Sequence, residues 1–131
     1  MRLLLLFAAL LLAACATTKS STPILTDKDN TLNISVGKRF VIRLDENPTT
    51  GYVWAVDGQT ELLMLQSSDY EPDTPTNEQG KVLVGGGGKR SFTFVAQKSG
   101  AATLKLKYWR PWEGDASIVD TFSVPLKIKE K

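Results

Sequence analysis

Short runs in which apolar and polar residues alternate recur from residue 31 to residue 128, and they constrain the fold more than any other feature of the chain. The alternation is plainest in residues 91–95 (Ser-Phe-Thr-Phe-Val) and 103–108 (Thr-Leu-Lys-Leu-Lys-Tyr). Successive side chains of a strand point to opposite faces of its sheet, so a period of two predicts strands with one apolar and one wet face. No stretch has a sustained helical period.

Seven such runs follow one another, and turn residues such as Gly37, Gly58 and Gly100 separate them. The runs span residues 31–36, 38–44, 52–56, 62–70, 91–96, 102–109 and 118–128. This spacing predicts an all-β fold, an immunoglobulin-like antiparallel β-sandwich of about seven strands. A closed barrel is the alternative. Pro125 predicts an edge or a bulge in the last strand, because proline cannot donate to the ladder. Residues 69–81 are acidic, contain proline and lack periodicity, which predicts a mobile surface excursion.

The N-terminal residues 1–14 predict a signal peptide. Met1 and Arg2 precede an apolar run that ends at Ala14, shorter than the roughly 20 residues of a membrane-spanning helix. Residues 12–15 (Leu-Ala-Ala-Cys) resemble the lipobox of bacterial lipoproteins. By that resemblance Cys15 is the acylated first residue of the mature chain. A plain secretory peptide is the alternative.

The remaining chain divides into a tether and one domain. Residues 16–30 are small and polar, so residues 15–30 are expected to be the lipidated cysteine and a flexible tether, and residues 31–131 the folded domain. Ala16, in place of an Asp that would favour retention at the inner membrane, indicates the outer membrane where the organism has one. The expected location is the bacterial cell envelope, lipid-anchored and facing the periplasm or the surface.

Composition argues against an enzyme. The chain has no His and a single Cys, which excludes Ser-His and Cys-His catalysis and imidazole or thiolate metal sites. A hydrolase built from paired carboxylates stays open, although no sequence feature favours it. The run of residues 85–89 (Gly-Gly-Gly-Gly-Lys) lacks the Ser or Thr and the helix of a phosphate-binding loop. No metal, cofactor or catalytic residue is therefore expected.

The net charge is close to zero. Loss of residues 1–14 removes only Arg2, so 16 basic and 14 acidic side chains become 15 and 14. This balance does not predict nucleic-acid binding or a polybasic membrane footprint. No long apolar patch or heptad repeat predicts more than a monomer.

A stiff, uncharged turn lies between the second and third runs. It consists of Asn47, Pro48, Thr49, Thr50, Gly51 and Tyr52. Proline fixes its own φ and biases the residue before it toward extended backbone, while glycine permits a positive φ. Such a loop suits insertion into a partner's cleft. An ordinary hairpin connection is the plain alternative.

Two further loops stand out. One is the glycine run Gly85, Gly86, Gly87 and Gly88, which predicts a backbone that passes close to something else, or else a flexible turn. The other contains Arg110, Pro111 and Trp112, and Arg and Trp are frequent in binding hot spots. The preceding Trp109 is expected to face the core.

These three motifs, in this order and spacing, resemble the signature loops of the chagasin family of cysteine peptidase inhibitors. The resemblance covers about residues 31–128. It implies an immunoglobulin-like sandwich whose three loops lie side by side and block the active-site cleft of a papain-like cysteine peptidase, reversibly and without a covalent bond. The first loop would be the central wedge, and the other two would grip the walls of the cleft. An envelope-anchored module that binds a protein or polysaccharide is the alternative function.

Overall fold

Eight strands form two four-stranded sheets in this computed structural model, which describes residues 21–26, 31–58, 60–73, 78–80 and 86–131. The strands are β1 (Ile24–Leu25), β2 (Leu32–Ser35), β3 (Arg39–Glu46), β4 (Val53–Val56), β5 (Leu63–Pro72), β6 (Gly88–Ala96), β7 (Gly100–Trp109) and β8 (Asp120–Lys129). Three single-turn 3₁₀ helices span Pro48–Thr50, Pro111–Glu113 and Asp115–Ser117. None of the residues described belongs to a helix long and apolar enough to cross a membrane.

One sheet has the order β1-β3-β6-β5 and the other β2-β8-β7-β4. The pairings within β3-β6-β5 and β8-β7-β4 are antiparallel, whereas β1 pairs with β3 and β2 with β8 in parallel. The all-β sandwich expected from the alternation is confirmed. It differs in detail, because an additional short strand is present and the N-terminal segment adds a parallel edge to each sheet.

The additional strand, β1, lies within the segment predicted to be a tether. Ile24 and Leu25 pair with Val41 and Ile42, and Val41 N donates to Pro23 O at 2.9 Å. Leu25 also packs against the core. The prediction of an unpacked tether through residue 30 therefore does not hold at this strand, because its backbone pairs with the edge of β3 and Leu25 covers part of the core.

The core lies between the sheets and is built from the inward positions of each strand. Phe40, Ile42, Phe122 and Val124 have no exposed surface, and the rings of Phe40 and Phe94 stack with centroids 5.4 Å apart. The expectation that Trp109 faces the core is wrong. Leu104, Leu106 and Tyr108 occupy the inward positions of β7, so the next residue points outward, where Lys107 Nζ lies 3.7 Å from the centroid of the Trp109 ring.

Two further expectations concern the extent of β5 and the position of Pro125 in β8. β5 continues through Pro72 and pairs with β6 as far as Gly88, so residues 69–72 belong to the sheet and the predicted excursion starts later. Residues 74–77 and 81–85 lie outside the described residues. Pro125 lies in regular pairing with β7 just before the contact of β8 with β2 begins at Leu126, so it occupies a local edge without a bulge.

Phe122 provides a test of the packing. Phe122→Ala should lower the free energy of unfolding by about 3–5 kcal/mol, because the deleted ring is fully buried and leaves a cavity. Val119→Ala, which removes an apolar side chain that is 60% exposed, should change it by less than about 0.5 kcal/mol. Urea denaturation followed by tryptophan fluorescence measures both, and equal losses would contradict the assigned core.

Candidate functional site

Three connections between strands meet at one end of the sandwich. Loop 1 (residues 47–52) joins β3 to β4, loop 2 (residues 73–87) joins β5 to β6, and loop 3 (residues 110–119) joins β7 to β8. In one sheet Glu46 pairs with Gly88, and in the other Val53 pairs with Trp109. Loop 1 therefore crosses from one sheet to the other, with loop 2 beside its start and loop 3 beside its end.

Loop 1 is a 3₁₀ turn closed by its own side chains. Asn47 Oδ1 accepts hydrogen bonds from Thr49 N at 3.2 Å and from Thr49 Oγ1 at 2.6 Å. Thr50 Oγ1 donates to Asn47 O at 2.7 Å, and Gly51 N donates to Pro48 O at 2.9 Å. Gly51 has φ of 82°, the positive value predicted for it. Pro48, Thr49 and Thr50 remain exposed.

These bonds use most of the hydrogen-bond donors of the turn within loop 1 itself. The backbone N–H groups of Thr49, Thr50 and Gly51 all donate within the loop, and Tyr52 N lies 3.4 Å from Thr50 Oγ1. Both threonine hydroxyl protons are used in the same way. The threonine hydroxyls therefore offer a second molecule their lone pairs, beside the exposed carbonyl oxygens of the turn.

A buried ion pair holds the base of loop 1. The Glu46 side chain has no exposed surface, and its Oε1 accepts from Arg90 Nη2 at 2.6 Å. Arg90 Nε lies 3.1 Å and 3.2 Å from the two carboxylate oxygens, and Trp54 N donates to Oε2 at 2.8 Å. Glu46 therefore links the end of β3 to the starts of β4 and β6.

Two aromatic residues support the same base. Tyr108 Oη accepts from Asn47 N at 3.1 Å, and Trp54 Nε1 donates to Asp45 O at 2.8 Å. The rings of Trp54 and Tyr108 stack with centroids 5.0 Å apart, and Tyr52 lies 5.6 Å from Tyr108. Both ends of loop 1 are thus fixed to rigid strands.

Loop 3 packs directly on loop 1. Arg110 donates from Nε and Nη2 to Thr50 O at 3.2 Å and 3.0 Å, and its Cζ lies 4.4 Å from the centroid of the Tyr52 ring. The Trp112 ring lies against Gly51 so closely that a Cβ there would be 2.6 Å from Trp112 Cη2. Trp112 is nevertheless 70% exposed, so most of its ring is available to a partner. Pro111 begins the 3₁₀ turn that carries it.

Loop 2 approaches loop 1 through its glycines. A Cβ on Gly87 would lie 3.4 Å from Glu46 O and 3.8 Å from Asn47 Cβ, and a Cβ on Gly88 would lie 2.4 Å from Glu71 O. The close neighbour predicted for the glycine run is therefore, at Gly88, this chain's own β5. Gly86 and Gly87 are half-exposed at the surface, and Gly85 lies outside the described residues, as does Cys15.

Lys89 links loop 2 to the base of loop 1. Its ammonium contacts the carboxylate of Asp45 and lies 3.4 Å from Asp73 Oδ2. The hydrogen bond to Asp45, opposed by partial desolvation, raises the pKa of Lys89 above its ordinary value of 10.5. The side chain therefore stays charged through the physiological pH range, and this link is insensitive to pH there.

Besides Trp54 and Lys89, four residues that hold the site were not predicted from the sequence. They are Glu46, Arg90, Tyr108 and Ser117, whose hydroxyl accepts from Arg110 N at 2.9 Å and lies 2.6 Å from Gly114 O. The period of two carried a signal for the first, because Ile42, Leu44 and Glu46 share one inward face, and an inward carboxylate requires a partner. Nothing in the sequence indicated the role of Ser117.

Comparison with known proteins identifies this arrangement. The profile described as Chagasin family peptidase inhibitor I42 matches residues 33–126, which include all three loops. The chain belongs to the chagasin family of peptidase inhibitors. This is a family of inhibitors rather than enzymes, which agrees with the absence of histidine from the chain.

Individual relatives support the assignment. Chagasin from Trypanosoma cruzi is 31% identical over 103 residues, covering 74% of this chain and 87% of chagasin. The crystal structure of the cysteine protease inhibitor EhICP2 from Entamoeba histolytica superposes with a TM-score of 0.68 at 28% identity, covering 82% of this chain and 96% of that one. PbICP-C, solved in complex with falcipain-2, shares the fold at 18% identity and a TM-score of 0.53, with coverage of 82% and 98%.

The buried ion pair gives a test of how this chagasin-family site is held. Glu46→Gln keeps the size of the side chain but leaves Arg90 without a counter-charge, and should lower the free energy of unfolding by about 2–4 kcal/mol. Glu71→Gln is the matched control, because the Arg43–Glu71 pair is exposed and should contribute less than about 1 kcal/mol. Chemical denaturation measures both, and a similar small loss in each would refute the structural role of Glu46.

Proposed function

We propose that this chain is a reversible, non-covalent, tight-binding inhibitor of papain-like cysteine peptidases. The observation that carries the proposal is the side-by-side placement of loops 1, 2 and 3, with the uncharged loop 1 in the middle. Membership of the chagasin family and the likeness to a cysteine protease inhibitor from Entamoeba histolytica support it.

Loop 1 suits the charges of a papain-like active site. Such a site holds a thiolate beside an imidazolium, and a charge inserted there without a partner would be desolvated at high cost. Loop 1 contains no ionisable side chain except the phenol of Tyr52, which packs against Tyr108. The exposed hydroxyl and carbonyl oxygens of the turn complement the N–H donors of an imidazolium and of an oxyanion hole.

The same turn resists cleavage. A peptidase cuts an extended strand, whereas Pro48–Thr50 is a 3₁₀ turn closed by Asn47 and by Gly51 N. Unwinding it would break the bonds of both threonine hydroxyls and the contact of Arg110 with Thr50 O. Loop 1 therefore fills the cleft without presenting a scissile backbone, and the complex dissociates without a chemical step.

Loops 2 and 3 grip the walls of the cleft. Trp112 offers a large rigid ring that is already positioned by Gly51, and Gly86 and Gly87 offer flat backbone. Because loops 1 and 3 are ordered by internal bonds, little conformational entropy is lost on docking. An interface of about 1,600 Å² then supports nanomolar or tighter affinity.

Thr50→Lys tests this mechanism. The added ammonium would be buried beside the imidazolium, so the inhibition constant for papain should rise by about a hundredfold or more. Thr103→Lys adds the same charge on an exposed position in the middle of β7 and should leave inhibition unchanged. Steady-state titration of papain measures both, with circular dichroism as the check on folding. Unchanged inhibition by the folded Thr50→Lys variant would contradict the insertion of loop 1 into the active-site cleft.

The proposal extends to an anchor. The lipobox-like residues 12–15 support acylation of Cys15 and attachment to the bacterial envelope, with the outer membrane favoured by Ala16. Two or more acyl chains hold a protein firmly on a bilayer, whereas one does so only marginally. The inhibitor would then act on peptidases that reach the envelope, from the same cell or from another.

Cys15→Ala tests the anchor separately from inhibition. On expression of the full chain in a double-membrane bacterium, the native protein should partition into detergent and sediment with membranes, and its N-terminal peptide should carry diacylglycerol by mass spectrometry. Cys15→Ala should abolish both properties, while Ser20→Ala as a nearby control keeps them. An unmodified, freely soluble native protein would rule out the anchor and leave inhibition untouched.

A further inference from the structure

The end of the sandwich opposite the loops carries a cluster of unpaired basic side chains. Strand β8 runs from loop 3 down to Lys129, so Lys38, Arg39, Lys127 and Lys129 lie about 30 Å from the inhibitory end. All four are exposed, and none forms an ion pair with any residue that the structure describes.

The cations near the loops behave differently. Five basic side chains there each have a carboxylate partner within ion-pair distance: Arg43, Lys89, Arg90, Lys107 and Arg110. Exposed carboxylates surround them, including Asp45, Asp115 and Glu71, which are 85%, 79% and 76% exposed. Among the described residues, unpaired cations are therefore concentrated at the end away from the loops.

The basic cluster lines an open groove of about 880 Å³. Its other walls include Ser21, Thr22 and Pro23, the residues that lead into β1, together with Asn33 and Ser35 of β2. Lys131 reaches the same place, since its Cε would lie 3.8 Å from a Cβ on Gly37. The segment that leads into β1 thus forms one wall of the groove.

The pairing of β1 shortens the tether. Because Pro23 O and Ile24 are held on the edge of β3, only residues 15–22 remain between Cys15 and the sandwich. Eight residues span at most about 28 Å when fully extended, and about 15 Å as a flexible coil. A lipid on Cys15 would therefore keep the groove close to the bilayer. At that distance the electrostatic potential of anionic headgroups is only partly screened by salt.

We propose that this basic end binds the anionic lipid headgroups of the membrane to which the chain is anchored, so that loops 1–3 point away from the bilayer. The groove receives phosphate-bearing headgroups between Lys38, Arg39, Lys127 and Lys129, whose ammonium and guanidinium groups form no ion pair with the described part of the chain. The inference rests on the proposed anchor for its setting, while the binding surface is a property of the folded domain.

The test uses the chain from Ala16 onward, which keeps all the strands and core residues that the structure describes but carries no lipid. Cosedimentation is measured with vesicles of phosphatidylcholine alone and of equal parts phosphatidylcholine and phosphatidylglycerol. We expect binding to the anionic vesicles at low salt, release at high salt and no binding to the neutral vesicles. The result does not depend on acylation or on peptidase inhibition.

Paired variants assign the surface. Lys127→Gln with Lys129→Gln should weaken binding to anionic vesicles by about tenfold or more, since each cation at an anionic surface strengthens it about fivefold. Arg43→Gln with Lys89→Gln removes the same charge near the loops and should have little effect. No binding to anionic vesicles, an equal loss in both pairs, or retention on duplex DNA without vesicle binding would each overturn the proposal. Circular dichroism and a thermal unfolding midpoint like that of the unmodified chain verify the fold of both double variants.

Discussion

The placement of loop 1 depends on one buried carboxylate. Glu46 occupies an inward position of β3 at the point where apolar residues give way to the loop, and it is satisfied by Arg90 and by the backbone N–H of Trp54. A buried charge without partners would be strongly unfavourable. The pair therefore joins the end of β3 to the starts of β4 and β6, and loops 1 and 2 extend from these strand ends. Tyr108 of β7 completes the base by accepting a hydrogen bond from Asn47 N.

Above that base the site is stiff because its polar groups are used internally. Asn47, Thr49 and Thr50 satisfy one another, Arg110 satisfies Thr50 O, and Trp112 rests on Gly51. The consequence for recognition is twofold. Little entropy remains to be lost on binding, and the exposed atoms of loop 1 are mainly acceptors and apolar carbons. A stiff acceptor surface without charge is complementary to a cleft that holds an imidazolium and N–H donors.

The two ends of the sandwich differ in how their charges are compensated. Near the loops each described cation has a carboxylate partner, whereas at the far end Lys38, Arg39, Lys127 and Lys129 have none among the described residues. The strands separate these ends by the length of β8, so binding at one end does not obstruct the other. The proposed anchor and the cluster of unpaired cations lie at the same end of the sandwich, opposite loops 1–3. The proposed membrane contact would therefore orient the proposed inhibitory surface away from the bilayer.

The sequence by itself determined seven of the eight described strands and the stiff backbone of loop 1, because period-two alternation and the backbone limits of Pro48 and Gly51 are local properties. It predicted the all-β sandwich, the motifs of the three loops and, by resemblance, the family that the comparisons confirmed. Trp109 was misplaced because hydrophobicity outweighed the alternation that places its neighbours Leu106 and Tyr108 inward. Only the tertiary structure decided that Arg90 meets Glu46, that Ser117 holds Arg110, that β1 shortens the tether, and that unpaired cations gather at one end. Each of these joins residues distant in sequence, and a composition or a period contains no information about which distant side chains become neighbours.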